Sequence, residues 1–123
     1  MTTTDPTAAV RYRDGTAVVD LPAQIDHSAE RALNDAYVAA TEHGAKTILL
    51  NFVGVEFLSS TGIALIVGIL ARARKDGRAI TAAGLSDHYR EIFEITRLAD
   101  FMTIFTDESA ALSGSTSRTK SGG

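Results

Sequence analysis

The sequence predicts an α/β fold, in which about four helices pack on a mixed β-sheet of four to five strands. The first observation is the element order β-β-α-β-α-β-α-β-α, because strands that alternate with helices imply crossover connections and a mostly parallel sheet. The second is the near-continuous apolar run from Lys46 to Val53, typical of a central strand covered on both faces. The third is Asp14-Gly15 between two β-prone runs, which is a hairpin signal.

The first half of the chain is predicted to form a hairpin and an amphipathic helix. Val10–Tyr12 and Ala17–Leu21 flank the Asp-Gly turn and are the two hairpin strands. Small and apolar residues then recur at helical spacing from Ala29 to Ala40, after His27, and form one apolar stripe. Gly44 lies just past this stripe, where glycine commonly ends a helix.

The second half alternates helices and strands. A helix is predicted from about Thr61 to Lys75, and Gly77 follows its last turn. Its residues are apolar almost all round through Ala71, which is typical of a buried helix. The remaining predicted elements are a strand over Ala79–Ala83, a helix capped by Ser86, a short strand within Phe101–Phe105 and a terminal helical turn over Asp107–Leu112.

The 123 residues are predicted to form one domain, since typical domains contain roughly 100–150 residues. Residues 1–8 are polar and Thr-rich and are expected to form a flexible arm. Residues 9–112 are expected to form the domain. Residues 113–123 contain Ser, Thr, Gly and basic residues without apolar content, so a disordered tail is predicted.

Composition indicates a cytoplasmic protein and excludes several classes. The net charge of −3 argues against a general nucleic-acid binder, which would carry a basic face. Cysteine is absent, so disulfides, thiol nucleophiles and thiolate metal sites are excluded. The start of the chain has no basic and apolar regions of a secretory signal. The longest apolar run, Ile63–Ala71, is far shorter than the roughly 20 residues that a membrane span needs.

Motifs for catalysis or cofactor binding are not found in the sequence. There is no phosphate-binding G-x-x-x-x-G-K-[ST] loop, no G-x-G-x-x-G and no G-x-S-x-G nucleophile elbow. The three histidines share no close ligand spacing, and the carboxylates Asp20, Asp26 and Glu56 show no obvious pairing. We therefore predict a protein that is not an enzyme and that uses no metal and no cofactor.

Three hydroxyl side chains, Ser59, Ser60 and Thr61, lie where a buried strand is predicted to lead into a buried helix. Ser and Thr are favoured at this position as N-caps, because the side-chain oxygen accepts one of the unpaired N–H bonds. The same position tolerates a phosphate group, owing to those N–H groups and the helix dipole. The residues alone leave both a plain cap and a phosphorylation switch open.

Three segments resemble the STAS domain family, named for sulfate transporters and anti-sigma-factor antagonists. They are ILLNFVGVEFLSSTGIALIVG over Ile48–Gly68, ARARKDGRAI over Ala71–Ile80 and YREIFEITRL over Tyr89–Leu98. A strand, a turn with three hydroxyls (Ser59–Thr61, the hydroxyl turn), an apolar helix and the glycine that ends it follow in the family's order. The likeness spans about Val10 to Leu112. The resemblance implies the STAS-type mixed sheet with helices packed on it.

The resemblance implies a stand-alone bacterial anti-sigma-factor antagonist, which regulates transcription indirectly through partner switching. In that family an anti-sigma factor with serine kinase activity phosphorylates a serine before S/T-G, and a metal-dependent phosphatase of the PP2C type reverses it. The matching residue is Ser60, with Ser59 and Thr61 as alternatives. The unphosphorylated form binds the anti-sigma factor. The chain departs from the family at Ser59, where Asp is usual, and carries Asn51 where many members have Asp.

The partner is expected to contact the hydroxyl turn and its neighbours, namely Asp26, Ser59, Ser60, Thr61, Gly62, Ile63 and Ile66. Most other apolar residues of the following helix are expected to belong to the core. Two further hypotheses are an unphosphorylated STAS accessory subunit of a lipid or anion transporter complex, which would bind a cytoplasmic ATPase subunit, and an enzyme or small-molecule binder that uses the hydroxyls. The oligomeric state is not predicted.

Overall fold

The computed structural model describes residues 8–113, so the predicted arm and tail, apart from Ala8 and Ser113, lie outside the described residues. The strands in this range are β1 (Ala9–Arg13), β2 (Thr16–Asp20), β3 (Gln24–Ile25), β4 (Thr47–Asn51), β5 (Phe57–Leu58), β6 (Ala79–Ala83) and β7 (Thr103–Phe105). The helices are α1 (Glu30–Glu42), α2 (Ser60–Asp76), α3 (Asp87–Ile95) and α4 (Glu108–Ser113). This content confirms the predicted α/β class.

Five strands form one mixed sheet in the order β1-β2-β4-β6-β7. Only β1 and β2 are antiparallel, and they are joined by the predicted hairpin. Asp14 and Gly15 have φ angles of 47° and 85°, and two consecutive positive φ angles are those of a type I′ turn. The other neighbours are parallel, because each is reached through a helical crossover.

The central strand β4 is buried on both faces, as its apolar run predicted. Ile48 and Leu50 face a large core that also holds Leu33 of α1, Ile66 of α2 and Phe93 of α3. The residue between them faces the other way, since side chains alternate along a strand. That residue, Leu49, lies in a second, smaller core under α4, together with Val18, Ala83 and Phe105.

A second sheet, of only two short parallel strands, was not predicted. In it Gln24–Ile25 pairs with Phe57–Leu58. The predicted strand ending at Val53 therefore stops at Asn51, and the chain passes through a loop before β5 leads into α2. A two-residue strand is too short to show alternation in the sequence, and its partner lies far away along the chain.

The predicted helix ends are largely confirmed. Ser86 caps α3, its Oγ accepting the Tyr89 N–H at 3.2 Å. Gly77 ends α2 with a φ angle of 74°, and Gly44 follows α1 with a φ angle of 82°. Both glycines adopt the left-handed conformation that closes many helices.

An ion-pair network links α4 to the sheet, although the sequence showed no pairing for Asp20. Arg11 donates to both carboxylate oxygens of Asp20 at 2.7 Å and to both of Glu108 at 2.7 and 2.9 Å. Asn51 Nδ2 donates to the same Asp20 carboxylate at 2.8 Å. The hydrogen bonds from Arg11 lower the pKa of Asp20 and of Glu108.

Candidate functional site

The hydroxyl turn begins α2, and its three hydroxyls have different environments. Ser59 is the N-cap residue, with an extended backbone at φ −81° and ψ 171°. Its Oγ accepts the Gly62 N–H at 3.0 Å and donates to the Ile25 carbonyl at 3.4 Å. The helix therefore begins at Ser60, one residue before the predicted start, and Ser59 alone serves as the cap.

Ser60 and Thr61 occupy the first two positions of the helix and are both exposed. Neither hydroxyl forms a hydrogen bond to any other residue in the range 8–113, whereas Ser59 is half-buried and forms two. The structure thus separates a hydroxyl that stabilises the helix start from two that face solvent.

The backbone of the turn is held against β3 by Gly62. Gly62 is buried, and a Cβ atom added there would lie 2.0 Å from the carbonyl oxygen of Ile25 and 2.8 Å from its carbonyl carbon. Any side chain would therefore push the start of α2 away from β3. This contact, together with the Ser59 cap, fixes the backbone that carries the hydroxyls.

The electrostatic environment of the turn favours a negative group. The first N–H groups of a helix have no partner within the helix, and the dipole of the 17-residue α2 places its positive end there. The first turn contains no acidic residue that would repel an anion. A phosphate on an exposed hydroxyl of this turn could therefore be accommodated without refolding the domain.

Two exposed apolar side chains lie in the loop and short strand that lead to the turn, and the sequence prediction missed both. Val53 is 75 % exposed and Phe57 is 46 % exposed. The backbone of Val53 lies directly against Gly84, because a Cβ atom added at Gly84 would lie 2.8 Å from the Val53 backbone nitrogen. Gly54, directly after Val53, is the only sequence signal that the strand ends and leaves these side chains outside the core.

The remaining predicted partner residues are placed unequally. Asp26 is half-buried and directly follows Ile25, the residue that contacts the turn, and hydrogen bonds from Ser28 lower its pKa. Ile63 is half-buried. Ile66 is fully buried at 0 % exposure, so the prediction that it borders the binding surface is wrong, since its side chain packs in the larger core.

The helix α2 is less completely buried than its apolar sequence predicted. Ile69 and Leu70 are buried like Ile66, but Val67 is 44 % exposed. The reason is that Val67 lies on the wall of an open cleft, where its side chain remains in contact with water.

Comparison with known families agrees with this fold. Residues 8–105 match the family described as "Mlab, STAS domain". The chain therefore belongs to the STAS domain family, which confirms the resemblance found in the sequence.

Individual relatives are similar over much of the chain. The anti-sigma-B factor antagonist of Staphylococcus aureus is 31 % identical over 72 residues, which cover 58 % of this chain and 67 % of that protein. An anti-sigma factor antagonist from Mycobacterium paratuberculosis has the same fold, with a TM-score of 0.75 at 22 % identity, over 92 % of this chain and 97 % of that one. The phosphorylated form of the Bacillus cell fate determinant SpoIIAA gives a TM-score of 0.67 at 24 % identity, over 87 % and 98 % of the two chains.

Two further features of the described residues concern membrane-spanning helices and clusters of metal ligands. Among residues 8–113, no helix is long and apolar enough to cross a lipid bilayer. In the same range no three or more His, Asp or Glu side chains come together as metal ligands would.

Proposed function

We propose that this protein is an anti-sigma-factor antagonist that docks on an anti-sigma factor through the hydroxyl turn and is switched off when Ser60 is phosphorylated. The name of the Staphylococcus aureus relative supports the role of antagonist. The observation that carries the proposal is the position of Ser60, exposed at the first turn of α2 while Ser59 supplies the cap.

Ser60 is a better phosphoacceptor than either neighbour. A phosphate on Ser59 would disrupt the cap to Gly62 and the contact to Ile25, because both use the same oxygen. Thr61 is exposed like Ser60, but the serine before Thr-Gly is the position that the family resemblance indicates. Phosphorylation of Ser60 leaves the helix start intact.

The effect of the phosphate falls on the partner and not on the domain. A phosphoserine adds about −1.5 to −2 charges, and the start of a helix stabilises a negative group by roughly 0.3–1 kcal/mol. At an interface, two like unit charges about 4 Å apart repel by about 4 kcal/mol at an effective dielectric constant of about 20. Because each 1.4 kcal/mol corresponds to about tenfold in affinity, one phosphate is sufficient to abolish a micromolar complex.

The proposed docking surface combines this switch with an apolar anchor. Phe57 and Val53 stand exposed on the segment that leads into the turn, and exposed aromatic side chains are frequent centres of binding energy. Asp26 and Ile63 lie at the border of the surface, while the buried Gly62 contributes by holding the turn against β3.

Ser59 replaces the Asp that the family resemblance leads one to expect, and its role as a cap suggests a reason. Asp and Ser are both strong N-caps, so the exchange preserves the hydrogen bond to the Gly62 N–H. It also removes one negative charge next to Ser60. Recognition by a kinase would then depend on the exposed hydroxyl and the surrounding surface, without a carboxylate at position 59.

The proposal includes two enzymes that act on the chain in the cytoplasm. The anti-sigma factor carries the serine kinase activity that phosphorylates Ser60, and a PP2C-type phosphatase restores the binding form. The chain itself acts only as a binding partner.

Incubation with ATP and a candidate anti-sigma kinase from the same host, followed by mass spectrometry, tests the acceptor. We expect a single phosphate that is lost in Ser60→Ala and retained in Thr61→Ala. Binding to the anti-sigma factor by titration calorimetry then tests the switch. Ser60→Asp is expected to weaken binding by about 100-fold or more, as the repulsion requires.

Ser109→Asp is the matched control. Like Ser60, Ser109 is an exposed serine in the first turn of a helix, but it is the second residue of α4, which lies on the opposite face of the sheet. Its affinity should equal that of the wild type. Phosphate persisting in Ser60→Ala, or equal affinities of Ser60→Ala and Ser60→Asp, would contradict the proposal.

A second candidate is an accessory subunit of a lipid or anion transporter complex, favoured by the absence of the expected Asp at position 59. That role needs the same fold and binds an ATPase subunit without phosphorylation. A pull-down from the native host separates the two, since it retrieves either an anti-sigma kinase or a transporter ATPase.

A further inference from the structure

A second concave region lies toward the other end of α2 and takes no part in the proposed docking surface. It is a cleft of about 720 Å³ between the C-terminal half of α2, the strand β6 and the segment that joins α3 to β7. Its apolar lining includes Val67, Leu70, Ile80, Leu98, Phe101 and Met102. Small-molecule sites have volumes of roughly 300–1,000 Å³ and similarly apolar walls.

Apolar side chains at this cleft remain in contact with water. Phe101 is 57 % exposed and Val67 is 44 % exposed, whereas Leu70, Ile80 and Met102 behind them are buried. The cleft therefore has a buried apolar floor and exposed apolar side chains at its opening. An apolar ligand would remove these exposed side chains from water.

Two arginines give the cleft an unbalanced positive charge. Arg74 lies with its guanidinium carbon 5.9 Å from the centre of the Phe101 ring. Arg78 donates to the Ala45 carbonyl, but its Nε is buried and has no hydrogen-bond partner among residues 8–113. The only carboxylate in the lining, Asp100, already accepts from Arg97 Nε at 2.8 Å.

We infer that this cleft binds an amphipathic anion, a molecule with a single apolar chain that ends in a carboxylate or a phosphate. The chain would cover the apolar floor and the exposed ring of Phe101. The head group would accept hydrogen bonds from Arg74 and Arg78, since guanidinium groups are well suited to carboxylate and phosphate oxygens.

The tail of the protein itself is a poor occupant. Residues 114–123 contain no apolar side chain and carry basic residues, so they match neither the walls nor the charge of the cleft. The inference does not depend on the proposed function, because the cleft lining excludes the hydroxyl turn.

Titration of the full chain with decanoate, kept below its micelle-forming concentration, tests the inference by calorimetry and by amide NMR shifts. We expect saturable binding, with the largest shifts at Ala71, Ile80 and Thr103, which line the cleft. Decyl phosphate is the second arm, and the tighter of the two ligands identifies the preferred head group. Decanol and acetate, which lack the charge and the chain respectively, should bind at least about tenfold more weakly.

Arg74→Gln is expected to weaken decanoate binding by about tenfold, the loss of one charge-assisted hydrogen bond. Arg74 is exposed, so this variant tests the charge even if Arg78→Gln impairs folding. Arg72→Gln is the matched control, since Arg72 lies on the same helix but contacts Asn34 and Tyr37 instead of the cleft. The inference would be overturned if decanol bound as tightly as decanoate, or if Arg74→Gln bound decanoate with wild-type affinity. Amide shifts centred away from the cleft would also overturn it.

Discussion

The two faces of the five-stranded sheet are covered in different ways. Three helices, α1, α2 and α3, cover one face, and Ile66 and Phe93 are fully buried beneath them. The six-residue α4 covers part of the other face, and its apolar side chains Ala110 and Leu112 remain half-buried. The first face therefore depends on apolar burial, whereas the second combines a small core with an ion pair.

This difference explains where a rigid binding site can be built. The hydroxyl turn belongs to the well-packed face, because α2 continues from Ser60 directly into the larger core. The other face is held in part by Arg11, whose ion pairs with Asp20 and Glu108 are partly exposed, at 37 %, 34 % and 26 % of their side chains. Partly exposed pairs of this kind contribute at most about 1 kcal/mol.

The largest expected effect is on the well-packed face. Ile66→Ala should lower the free energy of unfolding by about 2–5 kcal/mol, because it leaves a cavity in a fully buried position. Leu112→Ala on α4 should cost about 1 kcal/mol, since its side chain is already half exposed to water. Urea denaturation measures both, and equal losses would remove the contrast between the faces.

Gly62→Ala tests whether the rigidity of this face extends to the hydroxyl turn. The added methyl group would meet the Ile25 carbonyl oxygen at 2.0 Å, so we expect a loss of about 1–3 kcal/mol in urea denaturation. Gly68→Ala is the matched control, because Gly68 lies in the same helix with nothing within 4 Å of its added Cβ atom. It should be neutral or slightly stabilising, since alanine has the higher helix propensity.

Ser59→Ala isolates the cap from the packing of the same helix. Loss of the hydrogen bond to the Gly62 N–H should reduce stability by about 1 kcal/mol, measured as a lower denaturation midpoint. Ser59→Asp should retain most of the stability, because Asp is an equally strong cap. If Ser59→Ala were as stable as the wild type, the hydroxyl of Ser59 would not be committed to the helix start.

The smallest expected effect is on the face under α4, and it depends on pH. Arg11 lowers the pKa of Asp20 and of Glu108 in the folded protein. The stability that these ion pairs contribute is therefore fully present above the pKa values of Asp and Glu in the unfolded chain, roughly 3.9 and 4.3. It is lost as pH falls from about 5 through the lowered values, because the unfolded chain then binds more protons.

Arg11→Gln should therefore cost about 1 kcal/mol or less at neutral pH and nothing at low pH, as followed by thermal unfolding across the acid range. Arg97→Gln, which removes the exposed pair to Asp100, should be neutral at every pH. A steeper acid dependence in Arg11→Gln than in the wild type would contradict this role.

Several features were predictable because their causes are local. Asp14-Gly15 indicated the hairpin, since few other residue pairs adopt two positive φ angles. Ser86, Gly44 and Gly77 indicated helix ends for similar reasons. The hydroxyl turn was recognised from its residue types and position, but the sequence did not distinguish the capping Ser59 from the exposed Ser60.

Other features were not predictable because they join distant parts of the chain. The pairing of β3 with β5 involves two residues on each strand, too few to leave a periodic pattern. The exposure of Phe57 and Val53 follows from that pairing and from the end of β4, and the burial of Ile66 depends on the way α2 faces α1.

Residue types, turn signals and apolar periodicity by themselves determined the α/β class, the order of the main elements and the location of the hydroxyl turn. These properties depend on neighbouring residues, so the local sequence contains them. Only the tertiary structure decided which hydroxyl caps the helix and which carboxylates pair with Arg11. It also decided where an apolar cleft with two arginines opens beside α2. Each of these depends on groups that approach one another only when the chain has folded.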